Sequence, residues 1–473
     1  MPIGDILPEI TVLLSAVAVL LAALFLPRAR QGWCAALALV GLGIAIVLAA
    51  GQVGGADRLT FQGTWALDGV GTWARLLILG GTAFVVLLSP SWLAADPRHG
   101  EFYAILLFSC LGAMVLASAG DLLQLVLGVL LSSVTGYTLA AWHRDWPLSV
   151  EAGMKYFLVG ALANVVLLIG VTLMFGLLGT SGYGDLAPAL AAAEASPLLA
   201  LGVALVVVGL AFKLGAVPAH AWMPDVAEGA PVPSAAFLTV IPKIGAAVAL
   251  ARLVSLVPVD TLALRPVVAV VATVTMTLGN LAALGQDDVR RLLGWSSVSQ
   301  SGYALMAVCV IGLSTTAASA LLVFLAAYAV ATLAAFAVVG HLRGLTDRAA
   351  YAGLAWQRPW LALTLIVSVL SLVGIPPLAG FFGKFTLFVT TIDGGYGWLA
   401  VVAVANTVVS LVYYLRVVAP MYFSPAEEGR EVLSCWTAVA VTAGAILTVA
   451  SGLAAEPGLN AVAGAGLGRG LIP

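Results

Sequence analysis

The sequence predicts an all-α membrane protein of about fourteen spanning helices, two of them broken in mid-membrane, and three observations predict it. Hydrophobic residues make up 62% of the 473-residue chain and charged residues 9%, whereas a soluble domain carries about 25% charged residues. Such a chain cannot cover a water-facing surface, so lipid is its main solvent. Apolar runs of about 20 residues, the length that crosses a bilayer, recur from one end of the chain to the other. Two of those runs hold Gly–Pro clusters in their interiors, where proline removes a backbone donor and crowds the preceding turn.

In chain order the runs lie near 8–26, 32–50, 71–90, 102–119, 122–142, 152–177, 199–223, 232–256, 267–284, 292–313, 317–340, 361–391, 397–423 and 435–454. No soluble domain fits between them, and the longest polar connections, 51–64 and 179–196, are short. The first run is too long for a signal core, lacks a basic start and is followed by Pro27-Arg28-Ala29-Arg30. It reads as a retained first helix.

Arginines give the orientation. Connections after odd-numbered runs hold Arg28, Arg30, Arg98, Arg144, Arg290, Arg291, Arg343, Arg348, Arg358 and Arg430; those after even-numbered runs hold Arg58 and Arg265. Odd-numbered helices are therefore expected to exit into the cytoplasm. The expectation is a multi-pass protein of a bacterial cell membrane with both termini outside.

Several function classes drop out. The net charge of −2 comes with no basic tract, so nothing suggests nucleic acid. Cys34, Cys110, Cys309 and Cys435 lie far apart with no CxxC pair, and read as small apolar packing residues rather than iron–sulfur or zinc ligands. Neither a dinucleotide fingerprint nor a phosphate loop is present, so nucleotide chemistry is not expected here.

The two expected breaks are Lys213-Leu214-Gly215-Ala216-Val217-Pro218-Ala219-His220 and Gly374-Ile375-Pro376-Pro377-Leu378-Ala379-Gly380, the latter followed by Gly383-Lys384. Non-helical backbone at membrane depth survives only inside protein or along a wet cavity. Paired broken helices point to an inverted-repeat transporter, with simple proline kinks as the plainer reading. Lys213, Lys243 and Lys384 each fall well inside an apolar run. A lysine at mid-membrane costs about 2.5–3.5 kcal/mol on insertion scales. Snorkelling explains a lysine near a helix end, but not Lys243, near the middle of its run. An amine taken out of water holds its proton less tightly, so a buried lysine can lose and regain one. The three lysines suit a row of protonation sites across the membrane plane. His220, seven residues after Lys213, would share its face on an unbroken helix, and a histidine bridges proton steps near neutral pH. Other charges read as structural: Glu151 and Lys155 as an i,i+4 pair, Asp225 and Glu228 at a helix end, Arg252 and Arg416 late in their helices.

The run 211–231, AFKLGAVPAHAWMPDVAEGAP, resembles the seventh helix and following loop of subunit N of NADH-quinone oxidoreductase, respiratory complex I. GNLAAL at 279–284 and RRLLGWSS at 290–297 look like the same subunit's ninth-to-tenth helix junction, GIPPLAGFFGKF at 374–385 is similar to its broken twelfth helix, and YYLR at 413–416 also fits. The resemblance spans 101–423. It implies an antiporter-like fold with N-terminal helices in 1–100, inverted five-helix repeats in 101–256 and 257–423, and a last helix and tail in 424–473. It also implies proton translocation driven by distant quinone reduction, with Lys213, Lys243 and Lys384 matching the family's lysines and Pro218, Pro376 and Pro377 at the breaks. Other membrane-arm subunits are then the expected partners. NADH, flavin, iron–sulfur clusters and quinone are expected in those partner subunits, leaving no cofactor, metal or redox site in this chain.

One departure matters. The family carries a glutamate in helix five, thought to pair with the helix-seven lysine, where this sequence has Leu130 in the run Leu127–Ser132. A pair about 5 Å apart at an effective dielectric of about 20 is worth about 3 kcal/mol, support that the charged form of Lys213 lacks here. Gln300, where histidine is common, is a lesser departure. Two other readings stay open: a degenerate subunit that assembles but pumps weakly or not at all, and a related cation/proton antiporter or membrane-bound hydrogenase subunit.

Overall fold

The computed structural model describes residues 2–194, 196–259, 262–425 and 435–467. Arg430, counted above among the cytoplasmic arginines, lies outside them, as does the end of the tail from 468 on.

The described residues are nearly all helical. The helices are α1 (Leu7–Phe25), α2 (Trp33–Ala50), α3 (Gly69–Leu93), α4 (His99–Ala117), α5 (Leu122–Ala140), α6 (Pro147–Leu178), α7 (Tyr183–Ala192), α8 (Pro197–Leu214), α9 (Trp222–Gly229), α10 (Val232–Leu256), α11 (Leu264–Leu284), α12 (Val289–Cys309), α13 (Ala317–His341), α14 (Leu354–Gln357), α15 (Pro359–Val373), α16 (Ala379–Asp393), α17 (Gly397–Phe423), α18 (Cys435–Leu453) and α19 (Ala455–Val462). Twelve are long and apolar enough to cross a membrane. The other two expected spans differ for physical reasons. The region 361–391 is split into α15 and α16. Helix α12 has the length, but Arg290, Arg291, Gln300 and its serines make it too polar to count.

The polar connections carry more structure than the sequence suggested. The region 51–64 leads into a two-stranded antiparallel ribbon, Arg58–Thr60 on Trp65–Leu67, with Leu59 opposite Ala66. The region 179–196 contains α7.

Burial sets the layering. Every residue of α10 except Ser255 is buried, and α13 is nearly as enclosed. Helices α1, α2, α6, α17 and α18 turn large apolar side chains outward, among them Leu24, Val47, Leu162, Val401 and Leu453. Such a surface is stable against lipid and not against water. Lys243 therefore sits on the innermost helix, where snorkelling is impossible.

Both breaks are built alike. Helix α8 ends at Gly215 with φ 68°, and the N–H of Ala216 returns to the Ala211 carbonyl at 2.8 Å. Helix α15 ends at Gly374 with φ 97°, and the N–H of Ile375 returns to the Leu370 carbonyl at 3.1 Å. Left-handed glycine closes a helix without a Cβ clash. A cis X–Pro bond follows in each, at Pro218 and at Pro377. The chain then restarts as α9 and as α16.

Candidate functional site

All three lysines are buried, and among the described residues none has an acidic partner within ion-pair distance. Each is held instead by hydroxyls, carbonyls and aromatic faces. Lys213 occupies the last turn of α8. Its Nζ donates to Tyr156 Oη at 3.4 Å and Ser132 Oγ at 3.5 Å. A helix C-terminus carries partial negative charge, so this position favours a cation.

Lys243 is the most tightly bound. Its Nζ donates to the carbonyl of Ser297 at 2.6 Å, to Ser297 Oγ at 2.7 Å and to Tyr328 Oη at 3.3 Å. Tyr328 in turn donates to the Thr239 carbonyl at 2.9 Å. The ammonium also lies 4.7 Å from the Tyr328 ring centre, within range of a cation–π contact.

Lys384 follows its break by ten residues but reaches back across it. Its Nζ donates to the carbonyl of Val373, the last residue of α15, at 3.0 Å and lies 4.1 Å from the Tyr303 ring centre. It thus also sits at a helix C-terminus, matching Lys213 in environment though not in sequence position.

One helix joins the three. On α12, Ser301 Oγ meets the Leu214 carbonyl, next to Lys213, and also the Ser297 carbonyl at 3.1 Å, which accepts from Lys243. Ser297 Oγ lies 2.7 Å from Tyr328 Oη. Beyond Tyr328 is a small cavity of about 10 Å³ lined by Gln300, Phe324, Ala327, Tyr328, Ser371, Leu372, Gly380 and Lys384. Gln300 Nε2 donates to the Leu372 carbonyl at 3.1 Å, so it steadies the broken helix beside Lys384. The order along this line is Lys213, Ser301, Ser297, Lys243, Tyr328, cavity, Lys384. Ser297 and Tyr328 meet hydroxyl to hydroxyl, and hydroxyls both donate and accept; Ser301 reaches toward Lys213 and Lys243 through the backbone carbonyls of Leu214 and Ser297, which accept but do not relay a proton.

His220 is not brought to the line. The turn at Gly215 ends α8 before the face it would have shared with Lys213, so the spacing of seven no longer applies. Its ring packs 5.8 Å from Trp295, and Nδ1 has no hydrogen-bond partner. Pro218, Pro376 and Pro377 lie in the turns between half-helices, as their chemistry requires.

The remaining charges pair. Glu151 and Lys155 meet at 2.7 Å, and Lys155 also reaches Asp225 at 3.1 Å. Arg291 binds Asp225 at 2.6 Å and Glu228 at 2.5 Å. Arg290 donates to the Ala227 and Ala230 carbonyls, so two arginines of α12 grip the end of α9. Arg252 pairs with Asp68 in the interior through both carboxylate oxygens, and Arg416 donates to the Leu284 carbonyl. Cys34, Cys110 and Cys309 are buried and Cys435 is exposed, all as free thiols. Among the described residues no cluster of three metal-ligating side chains occurs.

Sequence reasoning missed Ser297, Ser301, Tyr328, Tyr156 and Tyr303. The available signal was the run Ser296 to Ser301, with four serines and a glutamine inside a membrane helix.

Comparison with known proteins agrees with this architecture. The family described as NADH:quinone oxidoreductase/Mrp antiporter, TM, matches residues 119–410. A protein of Mycobacterium sp. (strain JLS) called NADH-quinone oxidoreductase subunit N is 45% identical over 445 residues, 93% of each chain. A second of that name, subunit N 1 of Streptomyces griseus, is 44% identical over 98% of each chain. A chain of respiratory complex I from Thermus thermophilus, solved with bound aureothin, superposes with a TM-score of 0.84 at 33% identity, covering 97% of this chain and 100% of that one.

Proposed function

The chain belongs to the NADH:quinone oxidoreductase/Mrp antiporter family as a complex I subunit N, and from that membership we propose that it carries protons across a bacterial cell membrane as quinone is reduced elsewhere in the assembly. The observation that carries this reading is the line from Lys213 through Ser301, Ser297, Lys243 and Tyr328 to Lys384. Among the described residues, three buried amines without carboxylate partners lie along one row of polar groups on and beside α12, with a small cavity next to Lys384, and buried ionisable groups inside a membrane mark proton paths.

Lys213, Lys243 and Lys384 are the proton carriers in this reading. His220, off the line, serves at most access to the break from one side. Other membrane-arm subunits are the partners, and the NADH, flavin, iron–sulfur and quinone chemistry is theirs. The inverted repeats run over 101–256 and 257–423. Matching features support them: Asp121 caps α5 as Asp288 caps α12, and Gly215 and Gly374 end the broken helices. Both termini face outside, on the arginine distribution.

The test uses the complete complex in sealed vesicles. Lys243→Ala or Lys384→Ala lowers the protons moved per quinone reduced; an unchanged ratio in both overturns the reading. Leu130 favours a second reading, a subunit that assembles but pumps weakly. Leu130→Glu then raises the ratio, and a native complex already at full ratio removes that alternative.

A further inference from the structure

We propose that Lys213 is held as an ammonium by a cage of Tyr156, Phe212 and Ser132, closed by Trp222, in place of a carboxylate, and that Tyr156 is its positioning residue. The inference rests on the reading of Lys213 as a proton carrier and says how this chain supports its charge.

The cage surrounds Nζ with electron-rich groups. Besides the two hydroxyls at 3.4 and 3.5 Å, the ring centres of Phe212 and Tyr156 lie at 5.4 and 5.7 Å, inside the reach of an aromatic face for a cation. Trp222 stacks on Tyr156 with ring centres 4.2 Å apart and planes 22° off parallel. Its own Nε1 donates to the Phe212 carbonyl at 3.1 Å, so it closes the cage without stranding a polar atom. Tyr156, Phe212, Trp222 and Lys213 are all buried, where the ring quadrupole acts on a cation with little screening.

The surrounding helices are shaped to admit these rings. A Cβ on Gly160 of α6 would stand 2.2 Å from Tyr137 Oη and 2.6 Å from Phe212 Cζ. A Cβ on Gly136 of α5 would stand 3.1 Å from Tyr156 Oη. Tyr137 packs edge-on against Tyr156 at 5.0 Å and accepts from Asn164 Nδ2 at 3.3 Å. Two glycines thus keep open the space that the aromatic rings fill.

Among the described residues no other charge takes this role. On α6, Glu151 binds Lys155, which also reaches Asp225. On α9, Asp225 and Glu228 bind Arg291. On α10, Arg252 binds Asp68 and Lys243 binds Ser297. On α5, Asp121 caps its own helix. Among the described residues Tyr156 is the titratable group that touches Nζ.

The test uses the intact complex with Tyr156→Leu, Tyr156→Phe, Lys213→Met and the doubles. Tyr156→Leu weakens the proton affinity at Lys213 roughly three- to tenfold. The alkaline limb of the pumping profile therefore moves to lower pH, Tyr156→Phe moves it less, and adding Leu130→Glu to Tyr156→Leu brings it back. The melting temperature of Tyr156→Leu gains a pH dependence that disappears in the Lys213→Met background. A Tyr156→Leu complex with native pumping profile and native melting at every pH overturns the cage, as does a shift that persists unchanged without Lys213. Should Tyr156→Leu fail to assemble, Tyr156→Phe combined with Ser132→Ala decides the same question. Native pumping by Lys213→Met would instead sink Lys213 as a carrier, while the melting data still judge the cage.

Discussion

Ser297 holds Lys243 twice, through its backbone carbonyl at 2.6 Å and its hydroxyl at 2.7 Å. The same hydroxyl touches Tyr328. Ser297→Ala removes the side-chain contact but keeps the carbonyl. The buried ammonium then lacks one partner, which costs about 1–3 kcal/mol. We expect reduced protons per quinone with quinone reduction less affected, read in vesicles. Native coupling in Ser297→Ala would mean that the carbonyl alone positions Lys243.

Gly380 sits where α16 passes Ser371 of α15. A Cβ there would lie 1.6 Å from the Ser371 carbonyl oxygen, and the Gly380 N–H donates to Ser371 Oγ at 3.1 Å. Gly380→Ala must push the half-helices apart, at an overpacking cost of about 1–3 kcal/mol or more. Because Lys384 reaches back across this junction, the variant is expected to lose pumping along with thermal stability. Gly395→Ala, at an open left-handed turn with no neighbour within 4 Å, is expected to cost less and leave pumping intact.

Arg252 and Asp68 form a buried pair that ties α10 to the start of α3. Removing one partner strands the other, at about 3–5 kcal/mol. Asp68→Asn or Arg252→Met should therefore cut the yield of assembled complex. The double variant Asp68→Leu/Arg252→Met should recover part of it. If the double is worse than either single, the pair is not the source of the loss.

Arg291 ties Asp225 and Glu228 of α9 to α12 in a half-exposed cluster with Lys155. Exposed pairs contribute about 0–1 kcal/mol and weaken in salt. Arg291→Gln is expected to lower the melting temperature at low ionic strength, with the difference from native shrinking at 1 M salt. Arg290→Gln should show a larger loss that salt does not erase, because Arg290 is buried and binds carbonyls. A salt-independent loss in Arg291→Gln would place it with Arg290.

Much of this was legible in the sequence because membrane helices obey a composition rule. The run 232–256 is α10 to the residue, and the breaks at Gly215 and Gly374 follow from Gly–Pro chemistry. The buried lysines were visible because a charge in an apolar run has few ordinary explanations. Their partners were not. Serine and tyrosine are unremarkable in a membrane helix, and Ser297 matters only because α12 crosses both α10 and α13. Lys384 shows the same limit: its spacing from the break hides that it returns to Val373. The spacing of His220 from Lys213 gave no guide to its position, because α8 ends at Gly215 and periodicity presumes a continuous helix.

The serine-rich course of α12 has a consequence for how the chain enters the bilayer. With Arg290, Arg291, Gln300 and four serines between 296 and 301, α12 gains little from partitioning alone. Its neighbour α11 is apolar, and their backbones meet at Gly279 against Ser299 and at Gly302 against Met276. Small residues at such crossings let two helices associate closely in lipid. The polar helix is therefore expected to leave the insertion machinery as a hairpin with α11, carrying its hydroxyls across under cover of a more oily partner.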